Sequence, residues 1–290
     1  MNIHLECIPC TVNSYLRLVK SGVVPASLEE EILRRLLEYL SGVEYDQSPP
    51  VLGRKMHRLI RECLQDADPY RGIKERYNRM MLELYPEFGK LVERSADPFD
   101  TAMRLAIAGN VIDLGPQDQL DVPETLSRVT RAGLAIDDSR QLRHDLEKAG
   151  SLLYIGDNCG EIVLDKLFLS CLDVPEKYFA VRGHPVINDA APEDAEMTGM
   201  AEVARVITTG DDSPGAVWES ASKEFKDVFN KADVVISKGQ GNLEGLMDVP
   251  HKGIYFLLVT KCDLIAHRLG TGKGEFIVKK GGENENFHSV

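Results

Sequence analysis

Apolar positions recur at helical spacing through most of the first 150 residues. "SLEEEILRRLLEYLSG" spaces Ile and Leu three and four apart, keeps glutamates in its first turn and stops at Gly42, which predicts a helix N-capped by Ser27. "PPVLGRKMHRLIRECL" resumes the period from Pro50, and "DPYRGIKERYNRMMLELYPEF" predicts one or two further helices. "DPFDTAMRLAIAGNVIDLG" predicts an apolar one ending near Gly109, and the polar, proline-bounded stretch from Pro116 to Pro123 reads as a loop. From Ser151 the texture changes. "SLLYIGD", "KYFAVRG", "RVITTGDD", "DVVISKGQG" and "GIYFLLVTK" are apolar runs of strand length, separated for the most part by helical patterns such as "GEIVLDKLFLSCL", "KEFKDVFNKA" and "CDLIAHRLG".

Strands alternating with helices imply an α/β fold, a mostly parallel sheet with helices on both faces in a Rossmann-like three-layer arrangement. The expected organisation is a helical region over residues 1–150 that covers the active site, followed by an α/β domain over 151–290 that binds metal and phosphate. "KKGGENENFHSV" reads as a frayed tail.

In such sheets ligands bind beyond the carboxyl ends of the strands. Here those ends carry Asp157 and Asn158, then Arg182 and "HPVINDA", then Asp211 and Asp212, then "SKGQGN", and last Lys261. Asp157, Asn158 and Asp189 are hard oxygen donors suited to magnesium, manganese or a similar divalent ion. A turn that also caps the next helix would explain "GDN" alone, but Asn188 and Asp189 repeat the chemistry after the next strand. In "SKGQGNLEGL", Gly239 and Gly241 free backbone N–H groups at a helix start, with Lys238 and Asn242 beside them, a composition that suits phosphate. The spacing is not that of a P-loop. Lys261 offers a second positive charge. Asn110 and Asp113 in "AGNVIDLG" are either a helix C-cap pair or a wall of the active site.

Composition narrows the class. With 34 basic and 46 acidic residues the formal charge is -12, so no general attraction to nucleic acid or anionic membrane is expected, and a phosphorylated metabolite must be captured by a local cationic or metal site. "MNIHLECIPC" has no secretory pattern, no run reaches membrane-span length, and six sparse cysteines fit a reducing compartment, which together predict a cytoplasmic protein. Cys7 and Cys10 have the spacing of half a zinc site, yet no second CxxC completes it, and two reduced thiols in a helix are expected.

Taken in order, "ECIPC", "DPYRGIKERYN", "AGNVID", "GDNCGE", "PVINDA", "SKGQGN" and "TKCD" resemble the DUF89 family of metal-dependent damage-control phosphatases, in its prokaryotic branch with an N-terminal CxxC. The resemblance runs from Cys7 to about Asp263. It implies a metal held by Asp157, Asn158 and Asp189, with manganese, cobalt, nickel or magnesium as the ion, and hydrolysis of phosphate monoesters such as sugar phosphates or damaged phosphometabolites. The eukaryotic branch carries Arg-Thr-x-Lys where this chain has "LVTK", so Lys261 is kept and the arginine is not. The expected chemistry is attack by a metal-activated water, with Asp189 or Glu161 as base and Lys238, the "GQGN" amides and Lys261 stabilising the phosphoryl charge. An S-adenosylmethionine-dependent methyltransferase is a poor alternative, because the loop after the first run lacks the glycines a cofactor would need. A non-catalytic metal- or phosphate-binding regulator is the other.

Overall fold

A computed structural model describes residues 1–109 and 133–281. Among the described residues five helices come first: α1 (Cys7–Lys20), α2 (Glu29–Ser41), α3 (Pro50–Leu64), α4 (Arg71–Arg94) and α5 (Pro98–Ala108). The strands β1 (Leu134–Asp137), β2 (Ser151–Ile155), β3 (Glu176–Val181), β4 (Arg205–Thr208), β5 (Val234–Lys238), β6 (Ile254–Val259) and β7 (Phe276–Lys280) form one sheet in the order β1-β7-β6-β5-β2-β3-β4. Between them lie α6 (Ser139–Leu146), α7 (Glu161–Ser170), α8 (Pro192–Met197), α9 (Lys223–Lys231), α10 (Gly239–Leu246) and α11 (Asp263–Leu269). The pairs among β2 to β6 are parallel, whereas β7 runs antiparallel to β6.

The five apolar runs become β2 to β6. Every residue of β5 and β6 is buried, which is why these strands read as unbroken apolar stretches instead of alternating ones. Successive residues of β2 serve opposite faces. Leu152 and Tyr154 join one core with α4, α5 and α7, while Leu153 and Ile155 join another with α9, α10 and α11. Helices therefore cover both faces, as the three-layer expectation requires.

The expected break at residue 150 is displaced in two ways. Strand β1 and helix α6 come from within the range read as helical, and α4 and α5 pack into the same core as the sheet through Met81, Phe88 and Leu105. Only α1 to α3 keep a separate cluster, around Ile32, Leu36 and Ile60. The stretch read as a frayed tail begins inside β7, where Lys280 donates its N–H to Asp138 at 2.7 Å and its ammonium to Asp145 at 2.7 Å. Ser27 does not cap α2. Leu28 occupies the N-cap without a side-chain bond, and Glu29, Glu30 and Glu31 meet the positive helix end instead. Helix α4 is a single helix that runs through Pro86. No helix among the described residues is long and apolar enough to cross a membrane.

The α1 to α3 cluster is fastened to the sheet by arginines. Arg54 reaches Asp211 at 2.7 Å, Arg58 reaches Asp212 at 2.5 Å, and Arg61 bonds both Asp212 and the Pro185 carbonyl. These acids therefore serve the fold and not the expected row of strand-end ligands. Beside this clasp His57 is fully enclosed and shares a 2.6 Å hydrogen bond with the Tyr70 hydroxyl. Burial, helped by the charge of Arg61, lowers its pKa to about 3. An unfolded histidine titrates near ~6.5, so on acidification the unfolded state takes up the proton first. The stability this residue contributes is complete above that value and is lost as the pH falls toward about 3. His57→Gln, which keeps a partner for Tyr70, should flatten the acid dependence of the unfolding free energy, read from denaturant titrations, by up to ~1.4 kcal/mol per pH unit. An unchanged slope in this variant would assign the acid sensitivity to other groups.

Candidate active site

Strand β2 lies between β3 and β5, so the chain winds outward through β3 and β4 and then returns to place β5 on the other side of β2. In open sheets ligands bind beyond the carboxyl ends of the strands at such a reversal, here β2 and β5, where the loops after β2, β3 and β5 meet.

Two of these loops bring the expected ligands together. Cys159 donates its N–H to the Asn188 carbonyl at 2.8 Å, Ala190 donates to the Asp157 carbonyl at 2.8 Å, and Asn158 and Asp189 form an antiparallel bridge between them. Asp157, Asn158 and Asp189 are thus held side by side by backbone. Both loops contain unusual backbone. Gly160 has φ +75°, and Ile187, two residues before Asp189, has φ +39°, which a β-branched residue rarely adopts.

Arg182 lies at the centre, and the sequence reading left it out of the site. It follows β3, is fully buried, and donates to Asp189 Oδ2 at 2.6 Å, Asn242 Oδ1 at 2.9 Å and Asp157 Oδ1 at 3.3 Å. One guanidinium thus orients two of the three expected oxygen donors and ties them to α10.

Several residues expected to face phosphate are turned to other work. Lys238 is fully buried, and its ammonium donates to Glu161 Oε1 at 2.5 Å, Asp165 Oδ1 at 2.6 Å and the Ala106 carbonyl at 2.8 Å. All three protons are used, so it does not reach a phosphate. Glu161, the second candidate base, is enclosed by the same pair and accepts from the Asn158 amide at 3.1 Å, which makes it a support for the ligand loop. Asn242 donates to the carbonyls of Gly156 and Lys238 and accepts from Arg182 and the Ala216 N–H, which occupies its whole amide. The glycines are there for close approach. A Cβ on Gly239 would lie 2.0 Å from Asp157 Oδ2, and one on Gly241 would lie 2.4 Å from the Pro214 carbonyl oxygen. Lys261 is the expected cation that stays exposed, and it lies near enough to Asp189 to favour the ionised carboxylate. Asn188 presents its carbonyl to the other loop, and Asn110 and Asp113 lie outside the described residues.

Residues 3–277 match the family described as the damage-control phosphatase ARMT1-like domain. The chain belongs to this family. Damage-control phosphatase PH1575 of Pyrococcus horikoshii is 32% identical over 290 aligned residues, covering 96% of this chain and 97% of that protein. A damage-control phosphatase of Archaeoglobus fulgidus is 34% identical over 235 residues, covering 79% of this chain and 81% of its own length. The crystal structure of the DUF89 family protein PH1575 superposes with a TM-score of 0.87 at 30% identity, over 97% of this chain and 99% of that one. The DUF89 resemblance read from the sequence is therefore correct at the level of family and fold, and the methyltransferase reading falls away.

In this damage-control phosphatase scaffold the donor set suits a hard divalent cation. Four buried carboxyls, Asp157, Glu161, Asp165 and Asp189, surround two buried cations, Arg182 and Lys238, a formal excess of two negative charges. Burial raises Asp189 to about 7 against the opposing pull of Arg182, and it raises Glu161 to about 7 against that of Lys238. Surplus negative charge in a dry site is what a divalent ion relieves. The third expected oxygen donor, Asn158, is an amide. Among the described residues, no three His, Cys, Asp or Glu side chains are grouped to hold an ion. Cys7 and Cys10 form no disulfide and stand at the head of α1, where burial raises Cys7 to about 11.

Proposed function

We propose that this chain is a metal-dependent phosphatase that hydrolyses phosphate monoesters of small metabolites, among them sugar phosphates or damaged phosphometabolites. The observation that carries the reading is the convergence of Asp157, Asn158 and Asp189 in a buried cluster with a formal excess of two negative charges, with exposed Lys261 near Asp189. Relatives named as damage-control phosphatases support the reaction class. Manganese, cobalt, nickel or magnesium, held by those three residues, would polarise a phosphoryl oxygen and lower the pKa of an attacking water.

The protein's own contribution is positioning and charge. Arg182 holds both carboxylates in place before any ligand arrives. Lys261 meets the phosphoryl oxygens from the solvent side, and the N–H groups that open α10 at Gly239 add partial positive charge. Asp189 orients the attacking water. Asp157 is a poor nucleophile here, because Arg182 bonds one oxygen and the Asn158 amide bonds the other at 2.9 Å. Glu161, fully enclosed, is not assigned as a base.

Turnover of an aryl phosphate by purified protein with each of the four ions, and its loss in chelator, tests the reading. Ion binding with no turnover on aryl phosphate, sugar phosphates or nucleotides would favour the regulator. Lys261→Ala should raise KM for phosphate esters about 10- to 100-fold with little effect on thermal stability, since the side chain is exposed. Unaltered steady-state kinetics would leave phosphate recognition to the α10 amides alone.

A further inference from the structure

Helix α4 carries two polar residues on its buried side one turn apart, Lys74 at 2% exposure and Asn78 at 0%, where helical packing alone calls for apolar side chains. Asn78 Oδ1 accepts the Gly160 N–H at 2.7 Å, and its Nδ2 donates to Asp194 Oδ1 at 2.9 Å. Asp194 Oδ2 in turn accepts the Ala191 N–H at 2.9 Å and pairs with Lys74 at 3.2 Å, while Lys74 also pairs with Asp68 at 3.0 Å. Gly160 closes the loop that carries Asp157 and Asn158, and Ala191 closes the loop that carries Asp189. A single side-chain amide therefore joins the far ends of both ligand loops to one rigid helix.

We propose that Asn78 is a positioning residue that sets the spacing between the Asp157–Asn158 pair and Asp189, and through it the affinity for the divalent ion. The inference rests on the metal-dependent reading above. Ile187 puts a backbone conformation unfavourable for a β-branched residue into the Asp189 loop, and such a conformation persists only where surrounding contacts over-determine it. The backbone bonds between the loops and the bonds from Arg182 hold the two carboxylates. Asn78 adds a tie at the far ends, using its acceptor on one loop and its donor on the residue that caps the other. Lys74, at 3.2 Å, holds the Asp194 carboxylate in place to accept both bonds. Helix α4 is a suitable anchor, because Met81, Phe88 and Val92 set it in the same core as Ile162 and Val163 of α7.

The test is calorimetric titration of the full chain with Mn2+, with circular dichroism and a thermal melt on each variant. Asn78→Asp keeps an acceptor for Gly160 but loses the donor and sets a carboxylate against Asp194. It should weaken Mn2+ binding about 10- to 100-fold, the usual effect of losing a residue that orients metal ligands. Asn78→Asp combined with Asp194→Asn restores a donor and an acceptor across the same contact at unchanged net charge, and should return the affinity to within about threefold of wild type. If Asn78→Asp does not fold, Asn78→Ser, too short to span both contacts, should show the same weakening. Wild-type Mn2+ affinity in a folded single variant, or no recovery in the folded double variant, would overturn the positioning role alone. A wild-type protein that binds no Mn2+ would overturn the metal reading and the positioning role with it.

Discussion

Lys238→Met is expected to destabilise the protein by about 3–5 kcal/mol, a large share of the roughly 5–15 kcal/mol that holds a typical domain folded. The sequence places this lysine beside two glycines at a strand end and so suggests a phosphate contact. The structure instead surrounds it with Glu161, Asp165 and the Ala106 carbonyl at 0% exposure. Removing the ammonium leaves two buried carboxyls facing each other, with Asp165 Oδ2 already lacking a hydrogen-bond partner. A denaturant titration measures the loss. Adding Glu161→Gln and Asp165→Asn should recover much of it, because the uncompensated charge leaves with its partner. A variant with wild-type stability and a turnover defect would return Lys238 to the phosphate.

Asp189→Asn should do the reverse, lowering metal-supported turnover by about 1,000-fold or more while leaving the ion-free protein as stable as before or more so. The side chain keeps its shape and still offers an oxygen to Arg182, and the change removes one of two surplus negative charges from a buried cluster. Asp157→Asn should behave alike, since it too accepts from Arg182. Calorimetry with Mn2+ and a melt without it separate the two effects. Wild-type turnover in chelator by either variant would remove these residues from the metal site.

The legible parts of the molecule were those set by local pattern. Runs of buried residues announced β2 to β6, and the oxygen-rich residues at their ends announced Asp157, Asn158 and Asp189, which the fold brings together, because a strand must stop where its loop begins and the loop inherits the polar residues. What was missed depended on distant partners. Lys238 follows Ile236 by two, and Ile236 shares a core with Tyr154 and Phe168, so strand alternation turns the lysine beneath α7. There Glu161 and Asp165, four residues apart, present two carboxylates on one helix face. That parity was readable, but the glycines beside it drew the reading outward. The bonds from Arg182 to Asn242 and from Asn78 to Gly160 join residues far apart in sequence and leave no local trace. Strand β1, four residues of alternating burial, was too short to stand out from its helical neighbours.

The sheet order also dictates a sequence of events during synthesis. Among the described residues β1 pairs only with β7, which follows it by about 140 residues. At roughly 5–20 residues per second, β1 emerges from the ribosome about 7 to 28 s before its neighbour exists. Strands β2, β3 and β4 can pair in the order they are made, and β5 and then β6 extend the sheet from the free side of β2. The first of the described strands to be translated is thus the last to be seated, and until β7 arrives it waits at an edge that has not yet been built.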